Sequence, residues 1–231
     1  MALLKLRQER KAHKGCSEFT KAEVEGVKGV SLYILKLDRE FYIRPGLVVA
    51  KELIGKQLVH NTAEGTTKGI IVETEAYIGP GDAAAHSYKG RRTQRTAIMY
   101  GSGGYAYVYT IYGLHYCMNV VANREECPEA ILIRALQPTA GLDIMRNRRA
   151  THKDIELCKG PGRLCSAMGI TMGDYGKDLC ADTLYIETQD NISIEVVTTK
   201  RINIDYSGEA ADYPWRFICR GSRYLSVPPR K

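Results

Sequence analysis

The chain has 231 residues, 44% of them apolar, with 33 Lys and Arg against 26 Asp and Glu, for a net charge of +7. That size and apolar fraction suit one domain with a sizeable core, or one domain with an arm, and no apolar run approaches the roughly 20 residues of a membrane span. The basic surplus suits a polyanionic partner. Seven cysteines without any C-x-x-C spacing argue against a zinc or redox pair and fit buried thiols in a reducing compartment.

Residues 1–35 differ from the rest. The opening MALLKLRQERK predicts a short basic helix without the apolar core of a secretory signal. Gly15, Gly26 and Gly29 punctuate the next stretch, so 1–35 reads as a loosely attached basic arm and 36–231 as the folded domain. Pro45 sits at a helix start, and Leu47, Ala50, Ile54 and Leu58 keep helical spacing, with Gly55 ending the helix. Strands are expected at 56–60 and 68–77 around a polar turn at 61–67, and at 105–112 and 116–121 around Gly113. Another strand is expected at 130–136. Helices come next at 141–149 and 163–168, then late strands at 184–187, 192–198, 201–205 and 215–220. Hairpin-like spacing dominates and βαβ alternation is missing. The fold class is therefore α+β in a single domain with a mainly antiparallel sheet.

The densest chemistry lies between residues 72 and 119. Glu73 and Glu75 are two apart and share one strand face. Two carboxylates on a partly buried strand are costly unless something needs them, although a solvated strand end is the competing reading. His86 stands further on, in a loop of small residues that would let a flat ligand approach. No second histidine or cysteine stands at ligand spacing, so no metal is expected. Lys89, Arg91, Arg92 and Arg95 form a cationic run, which is solvated surface or a phosphate contact. Six tyrosines then fall between Tyr100 and Tyr116. Tyr105, Tyr107 and Tyr109 alternate onto one face, as a packing face or a stacking platform. Tyr112, before Gly113, would present a ring at a turn, where core packing is a poorer explanation. Lys159-Gly160-Pro161-Gly162-Arg163 is a tight turn entering a helix, a weak phosphate-binding signal. Carboxylate, arginines and aromatic faces together are what an enzyme needs to seize a nucleobase and cut it from its sugar.

These segments carry a resemblance. VETEAYIGPGDAAAHS, YVYTIYGLHYCMNVV, AILIRALQP, KGPGRLCSAMGI, INIDYSGEA and PWRFICRGSRYLSV stand in one order between about Leu37 and Val227. Jointly they resemble the alkyladenine (3-methyladenine) DNA glycosylases of mammals and many bacteria. The resemblance implies a curved antiparallel sheet and a monofunctional, purine-specific DNA glycosylase that starts base excision repair. It implies removal of alkylated or deaminated purines, such as 3-methyladenine, 7-methylguanine, hypoxanthine and ethenoadenine, flipped out of duplex DNA. Carried over by motif, Glu75 is the base that activates water. Arg134 and the backbone carbonyl of Ile204 help hold that water. Tyr77, His86 and Tyr109 hold the flipped base, Asn119 crowds the amine of normal guanine, and Tyr112 wedges into the duplex. Arg91, Arg92, Arg95, Lys159 and Arg163 are the candidate phosphate contacts. No cofactor is expected, the partner is double-stranded DNA containing damaged purines, and the protein is expected as a monomer away from membranes. Its place would be the bacterial cytoplasm with the nucleoid, or the nucleus of a eukaryote. Leu114-His115-Tyr116 and the polar turn at 123–129 depart from the mammalian pattern, which bears on substrate ranking. Two other readings stay open: a binding module without catalysis, and a hydrolase of free nucleosides.

Overall fold

The structure is a computed structural model and describes residues 8–11, 19–22, 32–188 and 194–229. Three short strands, β1 (Gln8–Lys11), β2 (Phe19–Ala22) and β3 (Leu32–Ile34), form a small antiparallel sheet in that order. Residues 8–11, expected within a basic helix, are thus extended. The rest of that expected helix and much of the expected arm lie outside the described residues.

The main sheet has eight strands, all paired antiparallel. They are β4 (Gln57–Thr62), β5 (Gly65–Ile78), β6 (Ala106–Ile111), β7 (His115–Ala122), β8 (Glu129–Ala140), β9 (Leu184–Glu187), β10 (Val196–Thr199) and β11 (Arg216–Cys219). The path runs β10-β11-β5-β8-β7-β6, with β4 on β5 and β9 beyond β4. Strand β5 is 14 residues long and holds the sheet together. Its first half pairs with β4, residues 73–75 pair with β11, and β8 runs along its other edge. The sheet is curled, and α1 (Arg39–Tyr42), α2 (Gly46–Glu52), α3 (Leu142–Arg149) and α4 (Pro161–Met168) flank it. Helix α2 sends Val49 and Ala50 into the core, and the Ala50 carbonyl accepts from the Thr74 hydroxyl at 2.8 Å. Helix α4 packs on β7 and β8, with α3 against it. The class expected from sequence, α+β with a curved antiparallel sheet, is the one found.

Two matched irregularities decide which way the chemistry points. Ile71 pairs with Leu136, but Glu73 pairs with Ala135, so β5 has one extra residue there. Glu73–Ala135 is succeeded by Thr74–Ile133, so Arg134 is the extra residue on β8. Along β5, Ile71 and Ala76 belong to the main core, whereas Val72 packs with Ala135 and Ile218 on the opposite face. Strict alternation from Ile71 would put Glu73 in that main core, because strand side chains repeat every two residues. The bulge resets the alternation, and bulges also bend the strand and raise its twist.

The differences from the expected elements have local causes. Helix α2 stops at Glu52, because Gly55 sits at φ +89° and turns the chain. Leu58 is then fully buried in β4, not on a helix. The expected turn at 61–67 shrinks to two residues, since Thr62 already pairs with Gly65. No strand forms over 201–205. There Asn203 has φ +58°, incompatible with extended backbone, and the chain continues into a 3-10 segment, Asp205–Asp212. Strand β10 starts at Val196, and residues 192–193 of the strand expected there lie outside the described residues.

Candidate active site

Glu75 is fully buried, and both of its oxygens are engaged. Oε1 accepts from the backbone amide of Ile202 at 2.7 Å. Oε2 accepts from the Tyr77 hydroxyl at 2.9 Å and from Arg134 Nη1 at 3.2 Å. Glu73, also fully buried, lies on the far side of the same arginine: Arg134 Nε donates to Glu73 Oε1 at 3.1 Å. Burial alone would lower the Arg134 pKa, but the charges of Glu75 and then Glu73 outweigh it and the guanidinium is held above its ordinary value. Burial, then Glu75, push the Tyr77 hydroxyl well up, so it stays a protonated donor. Glu73 and Glu75 share a face as expected, and the structure brings Glu75, Tyr77 and Arg134 into contact.

Beside this carboxylate lies a small pocket of about 50 Å³, lined by Tyr77, Ala84, His86, Met99, Tyr107, Tyr109, Asn119, Ala130 and Tyr206. Three of its rings form one cluster. His86 meets Tyr109 edge-on at 4.8 Å between centroids, and Tyr107 lies 5.4 Å from Tyr109. His86 Nδ1 is 2.7 Å from the Tyr107 hydroxyl. Burial pushes both tyrosine hydroxyls up. The His86 imidazole is pushed down to about 4, first by burial and then by Arg95 and Arg91. Near neutral pH the pocket wall therefore carries a neutral imidazole. Asn119 is buried and donates through Nδ2 to the Tyr107 carbonyl at 3.0 Å. The Arg95 guanidinium sits 5.8 Å from the Tyr109 ring centre.

A buried ion pair holds the pocket from behind. Arg201 and Asp82 are both wholly buried, with contacts of 2.5 and 2.8 Å between them. Asp82 also accepts from the amides of Ile78 and Ala84, and Arg201 donates to the carbonyls of Ala76 and Ala210. The guanidinium lies 4.9 Å from the Tyr77 ring centre and 5.0 Å from that of Trp215. One pair thereby fixes the end of β5, the loop bearing His86, and the segment bearing Ile202 to each other. Sequence reading missed it, along with Tyr206 and the Ile202 amide, and saw Tyr107 only as one of three alternating tyrosines. The Asp82 signal was present in GPGD, but its partner lies 119 residues away.

The remaining expected residues fall around this centre. Ile204 is buried, and its carbonyl accepts from the Ser207 amide at 2.9 Å and hydroxyl at 2.6 Å. The direct contact of that segment with Glu75 is two residues earlier. Tyr112 is 87% exposed at the tip of the β6–β7 hairpin, with φ +53°, and Leu114 is 81% exposed beside it. Arg91, Arg92 and Arg95 are exposed, with Arg92 stacked on Tyr100 and paired with Glu126. Lys159 and Arg163 both pair with Glu156. They line an open groove of about 870 Å³ with Leu114, His115, Arg148 and Arg149, and no acidic side chain lines it. That groove is the larger of the two, yet the clustered aromatic rings line the smaller one, whose Tyr77 donates to the buried Glu75. Among the described residues no cluster of three or more His, Cys, Asp or Glu could hold a metal ion, and no helix is long and apolar enough to cross a membrane.

Known proteins give the same direction. Residues 40–223 match the family model of the methylpurine-DNA glycosylases. A Clostridium acetobutylicum protein, provisionally named a 3-methyladenine DNA glycosylase, is 51% identical over 201 residues, covering 84% of this chain and 98% of the relative. Proteins of Alkaliphilus oremlandii and Bacillus licheniformis with the same provisional name are 48% and 50% identical, covering 83% and 82% of this chain and 99% and 96% of the relatives. The chain belongs to the methylpurine-DNA glycosylase family.

Proposed function

Starting from that membership, we propose that the protein extrudes an alkylated or deaminated purine from duplex DNA and hydrolyses its N-glycosidic bond with a water activated by Glu75. The observation that carries this reading is Glu75 itself: a fully buried carboxylate, held by an amide, an arginine and the hydroxyl of Tyr77, whose ring lines an aromatic pocket. A purine in a duplex hides its glycosidic bond, so the nucleotide must leave the stack at a cost of about a few kcal/mol. Tyr77 and Tyr109 supply faces for the extruded base, each worth about 1–3 kcal/mol in comparable systems. His86, neutral near pH 7, adds no charge repulsion against a cationic alkylpurine. Asn119 presents a fixed amide at the pocket wall and serves to crowd out the amine of undamaged guanine.

In the step itself, Glu75 takes a proton from water, the water oxygen bonds to C1′, and the C1′–N bond breaks with its electron pair leaving on the base. Arg134 orients Glu75 and the water, and the negative carboxylate stabilises the oxocarbenium-like transition state. A cationic methylpurine departs as a neutral base without further protonation. No lysine lines the pocket, which supports simple hydrolysis over an imine-forming lyase. The segment after Arg201 fixes Glu75 through the Ile202 amide. Ile204 would share its carbonyl between water and Ser207. At about 50 Å³ the pocket is far below the roughly 300 Å³ lower bound for small-molecule sites, so side chains at its mouth must move to admit a purine. Tyr206, 76% exposed at that mouth, is free to do so.

The test is release of free base from duplexes carrying 7-methylguanine, hypoxanthine or ethenoadenine. Wild type should release base. Glu75→Gln, nearly isosteric but without charge or basicity, should still bind the duplex and lose turnover by about 10²-fold or more. Full turnover in that variant would move catalysis away from Glu75.

A further inference from the structure

The proposed hydrolysis uses Glu75 and leaves its neighbour Glu73 without a purpose. Glu73 is fully buried and accepts four hydrogen bonds. They come from Arg134 Nε at 3.1 Å, Arg216 Nε at 2.8 Å, the Ser226 amide at 2.6 Å and the Ser226 hydroxyl at 2.7 Å. Arg216 is itself buried, with Nη1 on the Thr199 hydroxyl at 3.2 Å and Nη2 on the Val227 carbonyl. The groups form a row of alternating charge: Arg216, Glu73, Arg134, Glu75. Its formal sum is zero. Arg134 is shared, with Nε on Glu73 and Nη1 on Glu75. The other titratable groups acting on or near Glu75 are Tyr77, Tyr109, Cys117 and Tyr206, all pushed up and so uncharged near neutral pH. Beyond Tyr77 lies the Arg201–Asp82 pair, neutral as a unit.

We propose that Glu73 and Arg216 are positioning residues that set how much of the Arg134 charge reaches Glu75, and thereby the pH at which Glu75 acts, with Ser226 locking Glu73 in the row. The proposal deepens the glycosylase reading and rests on it. Its physical content is a sign rule. Neutralising Arg216 leaves two carboxylates competing for Arg134, which disfavours ionised Glu75. Neutralising Glu73 leaves two arginines facing Glu75 alone, which favours it. A pair that only staples β11 and the C-terminal segment to β5 would change folding, not the two signs.

The experiment is single-turnover release of 7-methylguanine from a duplex as a function of pH. This base leaves without needing a proton, so the acid limb reports the general base. Relative to wild type, Arg216→Gln should move the acid limb up, and Glu73→Gln down, each by about one pH unit or more. The double variant should bring it back close to wild type. Limbs that stay put, or that move the same way, overturn the proposal. Should the buried-charge variants fail to fold by circular dichroism, Ser226→Ala and Arg216→Lys keep every charge. Both should then lower the plateau rate severalfold with the limb unmoved, and a wild-type plateau in both overturns the proposal. Glu75→Gln measured alongside separates the failures: if it still turns over, the glycosylase mechanism falls first; if it is dead and the limbs do not move, only this inference falls.

Discussion

His86 shows how one side chain links the site to the stability of the whole protein. Burial, then Arg95 and Arg91, depress its pKa from 6.5 to about 4. Between those values the unfolded chain binds a proton that the folded chain declines. Stability from this group is therefore fully present above about pH 6.5 and is lost as pH falls toward 4. Urea unfolding at pH 7 and pH 4.5 should show a loss for wild type to which His86 contributes at most about 3 kcal/mol. His86→Gln should lose less over the same interval, and an equal loss in both would assign the effect elsewhere. The imidazole was visible in the sequence as a lone histidine among small residues. Its partner was not: Tyr107 lies 21 residues on, and the 2.7 Å contact exists only because the loop folds back across β6.

At the scale of elements, the β6–β7 hairpin and the β5–β8 bulges do different work. Tyr112 adopts φ +53°, a conformation that costs a bulky residue about 1–3 kcal/mol, while its ring stands exposed to solvent. Packing does not explain that cost; the proposed insertion of the ring into a duplex would. Tyr112→Ser should leave the unfolding midpoint nearly unchanged, because the side chain is exposed. Base release from a paired lesion should fall about tenfold or more, given the 1–3 kcal/mol typical of a base–aromatic stack, with a smaller fall when the lesion is unpaired. Equal losses on both substrates would make the ring structural. The hairpin was legible because its alternating tyrosines and Tyr-Gly turn are local signals. The bulges were not. Nothing within a few residues of Val72 or Arg134 announces an extra residue, since a bulge exists only relative to its partner strand.

For the whole molecule the relevant quantity is the field of a +7 chain around a polyanionic substrate. Duplex binding should weaken steeply with salt, by about 0.9 in log–log slope for each phosphate neutralised. Replacing Arg91, Arg92 and Arg95 with Gln should flatten that slope, Arg92 contributing least because Glu126 already pairs with it. If the slope is unchanged and replacing Lys159 and Arg163 flattens it, the cationic track runs along the groove at α4 instead. Much of this protein was determined by sequence alone. Hairpin spacing set the antiparallel α+β class, and the motifs named the family, because both are written in short stretches whose meaning does not depend on distant partners. The site was only half written there. Glu75 and Tyr77 are neighbours in the chain, but the amide on Glu75 comes from 127 residues away and the hydroxyl on Glu73 from 153. Spacing carries no record of which distant donor meets which carboxylate. Register, bulges and the closing of the C-terminal segment over β5 decided that, because a buried charge must find its partners wherever the fold brings them.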